Sequence, residues 1–231
     1  MDCPTIRYAS HRQRIKQGEG RINGQFIGGS EISGGEFQGA LAVSNHVGLI
    51  LNTAFVGSSG EDWLSNGKDK GHGSLIEGGA GYYLPIQKRW VFETYGGAGV
   101  GGATNEYSSG GDSKVNFTKF FLQPSFGYTS NNFEVGAASK FSWINMNVEH
   151  SNINISNDPY NFGMYEQMNI DYIKSDPTSV LWEPSFFVRF GFQIVKMQLQ
   201  YTHSVNLNNK LLSQEPGVFS AGISIAIKPH L

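Results

Sequence analysis

Residues 180–194 read VLWEPSFFVRFGFQI. Taking every second residue separates two faces. One carries Val180, Trp182, Pro184, Phe186, Val188, Phe190, Phe192 and Ile194; the other carries Leu181, Glu183, Ser185, Phe187, Arg189, Gly191 and Gln193. Strict alternation is the period of a β-strand with one dry and one polar face. The dry face is aromatic and uninterrupted, and the polar face holds a carboxylate and a guanidinium. In a soluble sandwich the dry face points into a core and is rarely this long. In a membrane-spanning barrel it points to lipid and the charges point into the lumen.

The composition agrees. The chain has 231 residues, within the range of a single all-β domain. Charged residues are 16 %, against about a quarter in soluble domains. Glycine contributes 30 residues and aromatics 13 %, both suited to close-packed, membrane-facing strands. Mean hydropathy is −0.29, and no apolar run of about 18 residues marks a transmembrane helix. Alternating strands escape such averages because every other residue is polar. A net charge of −2 gives no reason to expect nucleic acid. A lone cysteine, Cys3, rules out an internal disulfide framework. No His/Cys cluster has metal-ligand spacing, so neither metal nor cofactor is expected.

From residue 20 onward the chain divides into ten strands, at about 20–30, 36–45, 47–59, 73–84, 90–104, 114–130, 132–150, 179–195, 196–208 and 217–228. Tight connections, such as Ser44-Asn45-His46, 85–89, Ser130-Asn131-Asn132 and the immediate Val195-Lys196, alternate with longer ones at 31–35, 60–72, 105–113, 151–178 and 209–216. Short turns on one side and long loops on the other are the pattern of outer-membrane barrels. The expected fold is a closed antiparallel up-and-down transmembrane β-barrel of ten strands over residues 20–231, or eight if the first pair lies outside the wall. An even count puts both termini on the periplasmic side. Residues 1–19 form a basic N-terminal segment. No charged, then apolar, leader precedes Cys3, so the chain is expected to be mature. Cys3 is then either a lipid anchor or an ordinary free cysteine.

Lipid-facing candidates include Phe37, Leu49, Phe55, Phe120, Phe126, Trp143, Met197 and Ile223. Tyr82, Tyr83, Trp90, Tyr128 and Phe133 gather near the short turns as an interfacial girdle. The lumen face is assigned Glu77, Glu93, Lys119, Glu134, Lys140, Glu183 and Arg189, with Gln38, Tyr95, Gln123, Gln193, Gln198 and Gln200. Buried charges must be paired, so these should form an ion-pair network that fills a narrow barrel. Paired carboxylates also serve acid–base catalysis, but a filled lumen leaves no room for substrate. The glycine clusters at 78–81 and 96–102 lack the following helix of a phosphate-binding loop and are read as packing devices.

Two loops are unusual. Segment 151–178 holds Tyr160, Phe162, Tyr165 and Tyr172, and segment 60–72 adds Trp63. Aromatic loops of this length cap a mouth or dock a partner. The same rim carries Asp62, His72, His150 and His203, from which a protease or lipid-modifying site could be assembled, although no motif marks a nucleophile.

The runs GEFQGALAVSNHVGLILNTAFVG (35–57), HGSLIEGGAGYYLP (72–85), VFETYGGAGVG (91–101) and KFFLQPSFGY (119–128) resemble the small outer-membrane β-barrel proteins of Bacteroidota-type bacteria. Those are often lipoproteins with a cysteine ahead of the first strand. The resemblance implies fold and location, and no active-site residue. The reading that follows is a non-enzymatic barrel in the bacterial outer membrane. It would contact membrane lipids and lipopolysaccharide and serve as an accessory or structural subunit of a transport, secretion or biogenesis complex with an outer-membrane protein partner. The alternatives are a barrel enzyme using the rim Asp and His residues, and a narrow channel or ligand-binding barrel. A soluble sandwich or lipocalin-like barrel, with the faces inverted, is the outlying fold.

Overall fold

A computed structural model describes residues 17–30, 32–62, 67–86, 89–107, 110–153, 162–209, 212 and 215–227. Its strands are β1 (Gly20–Gly28), β2 (Ser33–Ala42), β3 (Val47–Asp62), β4 (Gly67–Pro85), β5 (Trp90–Glu106), β6 (Gly111–Thr129), β7 (Phe133–Ile153), β8 (Thr178–Gly191), β9 (Val195–His203), the two-residue β10 (Val205–Asn206) and β11 (Gly217–Ile227). A helix, α1 (Phe162–Ser175), lies between β7 and β8. Each strand from β1 to β9 pairs antiparallel with the next, β1 pairs with β11, and β11 with β9. The β8–β9 pairing, Ser185–Gly191 against Lys196–Thr202, joins the two halves of this order into a ring. β10 extends the β9 side of the seam, pairing Val205 and Asn206 with Trp182 and Leu181. The wall is therefore a closed ten-strand barrel. Closure leaves no strand edge to face hydrocarbon.

The connections 43–46, 86–89, 130–132 and 192–194 lie at one end, together with Gly20 and Ile227, the first and last residues of the wall; at the other end the β1–β2, β3–β4 and β5–β6 connections are as short, and only those after β7 and β9 are long. The seam corrects one boundary. Val195 and Lys196 are not the turn: β8 ends at Gly191, whose φ of 144° is open to glycine, and residues 192–194 make the turn. Phe192 and Ile194 continue the alternation in sequence only, and Gln193 sits exposed in the turn rather than in the lumen. The expected loops also shorten. Most of 60–72 and 105–113 is strand, and the centre of 151–178 is α1.

Along β7 the outward residues run Phe133, Val135, Ala137, Ser139, Phe141, Trp143 and then Asn145 and Asn147. The ten steps from Phe133 to Trp143, at about 3.3 Å each and a tilt of about 40°, project to about 25 Å, the height of a barrel's apolar band. Above it the polarity of the wall reverses. Ile144, Met146 and Val148 turn inward while Asn145 and Asn147 turn outward. On β6, Phe117 and Val115 face inward and Thr118 and Asn116 outward. On β4, Leu75 is buried while Ser74 and His72 are not. β3–β7 thus rise beyond the lipid band as a half-shell, whereas β1, β2, β9 and β11 are only 9 to 11 residues long and stop near its edge.

α1 covers this half-shell. Ile170 and Ile173, spaced i and i+3, are buried, and Met164 and Met168 are exposed. Pro177 stops the helix, since it supplies no amide and disfavours helical geometry at Asp176. The Pro177 carbonyl accepts the Met146 amide at 2.8 Å, which anchors the helix exit to β7.

The glycine clusters make room for inward phenyl rings. A Cβ on Gly97 would lie 2.2 Å from the Gly78 carbonyl oxygen and 2.6 Å from the Phe121 ring, and one on Gly101 2.4 Å from the Phe117 ring. Gly97→Ala should therefore destabilise the barrel by about 1–3 kcal/mol, read as a lower midpoint in urea unfolding from lipid vesicles. The polarity reversal is testable in the same assay. Leu122→Arg, within the apolar band, should cost about 2–4 kcal/mol, and Asn116→Arg, above it, about 0–1 kcal/mol.

Candidate functional site

The lumen has two levels. In the lower level, Glu134 stands on β7 directly opposite Arg189 of β8. Arg21 reaches it from β1 with both ends of its fork, Nη1 to Oε2 at 2.7 Å and Nη2 to Oε1 at 3.0 Å. Lys196 Nζ lies 2.8 Å from Oε1 and Arg189 Nη1 3.4 Å from Oε2. One carboxylate thus holds three cations. Surrounding groups take further donors: Arg21 to Ser224 Oγ at 3.2 Å, Lys196 to the Ser130 carbonyl at 3.1 Å, and Arg189 Nε to Gln198. The Arg189 guanidinium also stacks 4.3 Å from the Phe187 ring centre.

Higher up, Glu77 and Glu183 share two lysines. Lys140 pairs with Glu77, and Lys119 lies 3.1 Å from Glu183 and 3.9 Å from Glu77. Asn52 donates to Glu77 at 3.0 Å and Ser142 to Glu183 at 2.5 Å. The Lys140 ammonium lies 4.5 Å over the Phe121 ring. An amide chain runs on from the lower cluster, where Arg189 meets Gln198: Gln198 donates to Gln25 and Gln200, Gln25 and Gln38 donate to Glu36, and Asn23 donates to Gln38, all between 2.9 and 3.1 Å. Tyr83, Tyr95 and Phe121 fill the β2–β5 side with Ile50 and Val91. Tyr83 is therefore in the lumen, its hydroxyl on the Ser44 carbonyl at 2.5 Å, and not in the girdle. Outside, Trp90 stacks on Phe126 and meets Tyr128 edge-on, and Arg89 donates to the Tyr128 hydroxyl at 2.7 Å.

Glu77, Glu93, Lys119, Glu134, Lys140, Glu183 and Arg189 are all inward and buried. The alternation argument alone did not single out Arg21, Lys196 and Glu36, which complete the network. Arg21 and Lys196 each sit one residue inside a strand end, where the period is too short to declare a face. Glu36 stands in a glycine-rich stretch with little contrast around it.

The upper level is a cavity of about 700 Å³ between the charged network and α1. Its floor is Glu36, Lys119 and Glu183; its wall includes Ile27, Leu75, Val115, Phe117, Ile144 and Leu181; its roof is Glu166, Asn169, Ile170 and Ile173. Tyr107, in the β5–β6 connection, lines it with its hydroxyl 2.6 Å from Ser113 Oγ, and burial raises the phenol pKa.

Of the aromatic loop residues, Tyr172 is half-buried on α1, and Phe162 and Tyr165 belong to the same helix. Trp63 and Tyr160, like Cys3, lie outside the described residues. The rim residues do not converge. His72 and His150 lie in one register row, through Thr104 and Lys114, on strands three apart, about 14 Å at the usual strand spacing. His150 pairs with Asp112 at 3.4 Å. His203 lies on β9, five strands around the ring from β4, and Asp62 ends β3. Among the described residues no three His, Cys, Asp or Glu side chains gather as a metal site.

No protein-family model matches the chain, and no curated protein matches it. Solved structures do. The translocator domain of the autotransporter NalP from Neisseria meningitidis matches at 12 % identity and TM-score 0.51, covering 95 % of this chain and 90 % of that one. Ail, the attachment invasion locus protein of Yersinia pestis, matches at 12 % and 0.41, covering 91 % and 99 %. The outer membrane protease OmpT of Escherichia coli matches at 10 % and 0.40, covering 91 % and 94 %. The likeness to the translocator domain extends over nearly the whole chain. The fold is that of an outer-membrane β-barrel.

The lower network predicts a sharp asymmetry. Glu134→Gln strands three buried cations and should cost about 3–5 kcal/mol. Because the pairs are buried, raising the salt concentration should barely change that loss in urea unfolding.

Proposed function

We propose that the chain is a non-enzymatic barrel of the bacterial outer membrane, with both termini on the periplasmic side, serving as an accessory or structural subunit of an outer-membrane assembly. The observation that carries this reading is the plugged lumen. Arg21, Arg189, Lys140, Gln38, Gln123, Gln198 and Gln200 are each less than 2 % exposed, so at their level the interior is packed side chain. A plugged barrel is not a conduit. The dispersed rim histidines add no support to a catalytic reading. What such a barrel offers an assembly is its surface: the raised wall of β3–β7 and the free face of α1, where Met164 and Met168 are exposed.

The apolar band supports contact with membrane lipids, and the outward Asn116, Thr118, Asn145 and Asn147 just above it suit contact with lipopolysaccharide headgroups. The resemblance of the sequence to small Bacteroidota-type barrels supports the same setting, and Cys3, ahead of the first strand, is suited to a lipid anchor there.

Two measurements test this. Tagged protein extracted from native outer membranes in mild detergent should bring down a partner in stoichiometric amount, and a lone monomer would contradict the subunit role. In planar bilayers the purified chain should give no conductance steps, and regular steps would contradict the plug.

A further inference from the structure

We propose that the outer wall of β3–β7 holds one glycolipid of the outer leaflet, an acyl chain lying across Phe55, Ile76 and Val100 and its sugar headgroup on the corner formed by Lys114, Asn116, Asn147 and Glu149. The inference rests on the outer-membrane setting proposed above, and not on the subunit role. Its first ground is a groove in the outer wall. Thr53, Ile76, Val100, Thr118 and Asn145 form one outward row across the five strands, and Phe55, Ser74, Gly102, Asn116 and Asn147 form the next. A groove of about 1170 Å³ lies over both rows. Its depth comes from the middle of the second row, where Ser74 and Gly102 stand between Phe55 and Asn116. Gly97 and Gly101 yield to inward rings, but a Cβ on Gly102 would meet only the Asn116 Oδ1 at 2.7 Å and the Val115 carbonyl oxygen at 3.1 Å as its near neighbours. Inner packing therefore does not account for its small size.

The second ground is the division of the groove. At its β3–β5 end Phe55, Ile76 and Val100 are exposed and apolar; at its β6–β7 end the exposed residues are Asn116, Thr118, Asn145 and Asn147. Rows in a barrel of tilted strands run obliquely through the membrane. One groove thus meets hydrocarbon at one end and headgroups at the other, which suits a molecule with a dry chain and a wet head.

The third ground is the corner itself. The β6–β7 register shifts between Lys114 and Val115, so Glu149 is an extra residue opposite no partner, and both Glu149 and His150 are exposed. A bulge of this kind re-aims a side chain. Here it brings the Glu149 carboxylate to Lys114 Nζ at 3.0 Å and to Asn116 Nδ2 at 2.5 Å. Holding the Asn116 amide nitrogen there leaves its carbonyl oxygen over Gly102, facing the groove. The corner therefore presents acceptors and donors side by side, with Lys114 and Glu149 each about half exposed. Sugar hydroxyls donate and accept at once and match such a corner; a phosphoethanolamine head carries no hydroxyls.

The test uses the purified full chain in detergent, titrated with lipid A or with dioleoyl phosphatidylethanolamine and examined by native mass spectrometry. Lipid A should be retained one per chain, at least about tenfold more tightly than the phospholipid. Ser74→Trp, which fills the groove, and Asn147→Leu, which removes an amide from the corner, should each weaken lipid A by at least about fivefold, in protein that still unfolds at the wild-type urea midpoint. Ile223→Ala, on the opposite wall, should leave retention unchanged. Lipid A bound tightly but undiminished in the folded variants would overturn this site while leaving the outer-membrane setting intact. No one-to-one adduct, or phospholipid held as tightly, would overturn the glycolipid assignment. Failure of the setting itself would show separately, as chain sedimenting with the inner membrane on a sucrose gradient.

Discussion

A wall one strand thick gives every residue a single choice of side, and the solvent outside this wall changes part-way up. That constraint organises the molecule. Below Trp143 and Phe120 the outside is hydrocarbon, so apolar side chains face out and polar ones must be satisfied within. Above them the outside is water, and the same strands carry Asn and Thr outward and Ile, Met, Val and Phe inward. The backbone period does not change across the boundary; only the identity of the dry face does. The lower half is built inside-out and the upper half like a soluble barrel, and α1 is the cover that the upper half requires.

The lower half also explains the chemistry of the lumen. The inward positions of the lower half carry charged and amide side chains, and such groups cannot be left alone in a closed interior. The solution is a shared one. Glu134 serves Arg21, Arg189 and Lys196, and Glu77 and Glu183 serve Lys119 and Lys140. Because Arg21 of β1 reaches Glu134 of β7, four strands around the ring, and Lys140 of β7 reaches Glu77 of β4, three strands away, the network also ties non-neighbouring strands of the wall together. Aromatic rings complete the filling, and the glycines of β4 and β5 exist where those rings press against the wall.

Much of this was legible in the sequence. The alternation in 180–190 is strong because lipid demands an unbroken dry face, and the same demand fixed the outward residues of β3, β6 and β7. The misreadings have physical causes. Phe192 and Ile194 extend an apparent strand because a membrane-proximal turn also favours apolar residues, and only Gly191 marked the break. The upper parts of β3–β6 looked like loops because outward-facing Gly, Ser, Asn and Lys are what water-exposed strand and loop share. α1 was hidden because only Ile170 and Ile173 among its described side chains are buried, too short a stripe to set a helical period. The inward Val115, Phe117, Ile144 and Met146 were in plain view. Recognising them needed the knowledge that the outer solvent changes at that height, which no local window of sequence contains.

The most direct test of this account is thiol labelling along β6 and β7 in intact membranes. Single cysteines would be placed at residues 114–122 and 141–147 in a Cys3→Ser background and treated with a membrane-impermeant maleimide. The account predicts labelling at 114, 116, 118, 145 and 147, protection at 120, 122, 141 and 143, and weak labelling at the cavity-facing positions 115, 117, 144 and 146. Labelling of 120 and 143 as strong as that of 116 and 147 would place the lipid boundary elsewhere and contradict the reversal on which the structure turns.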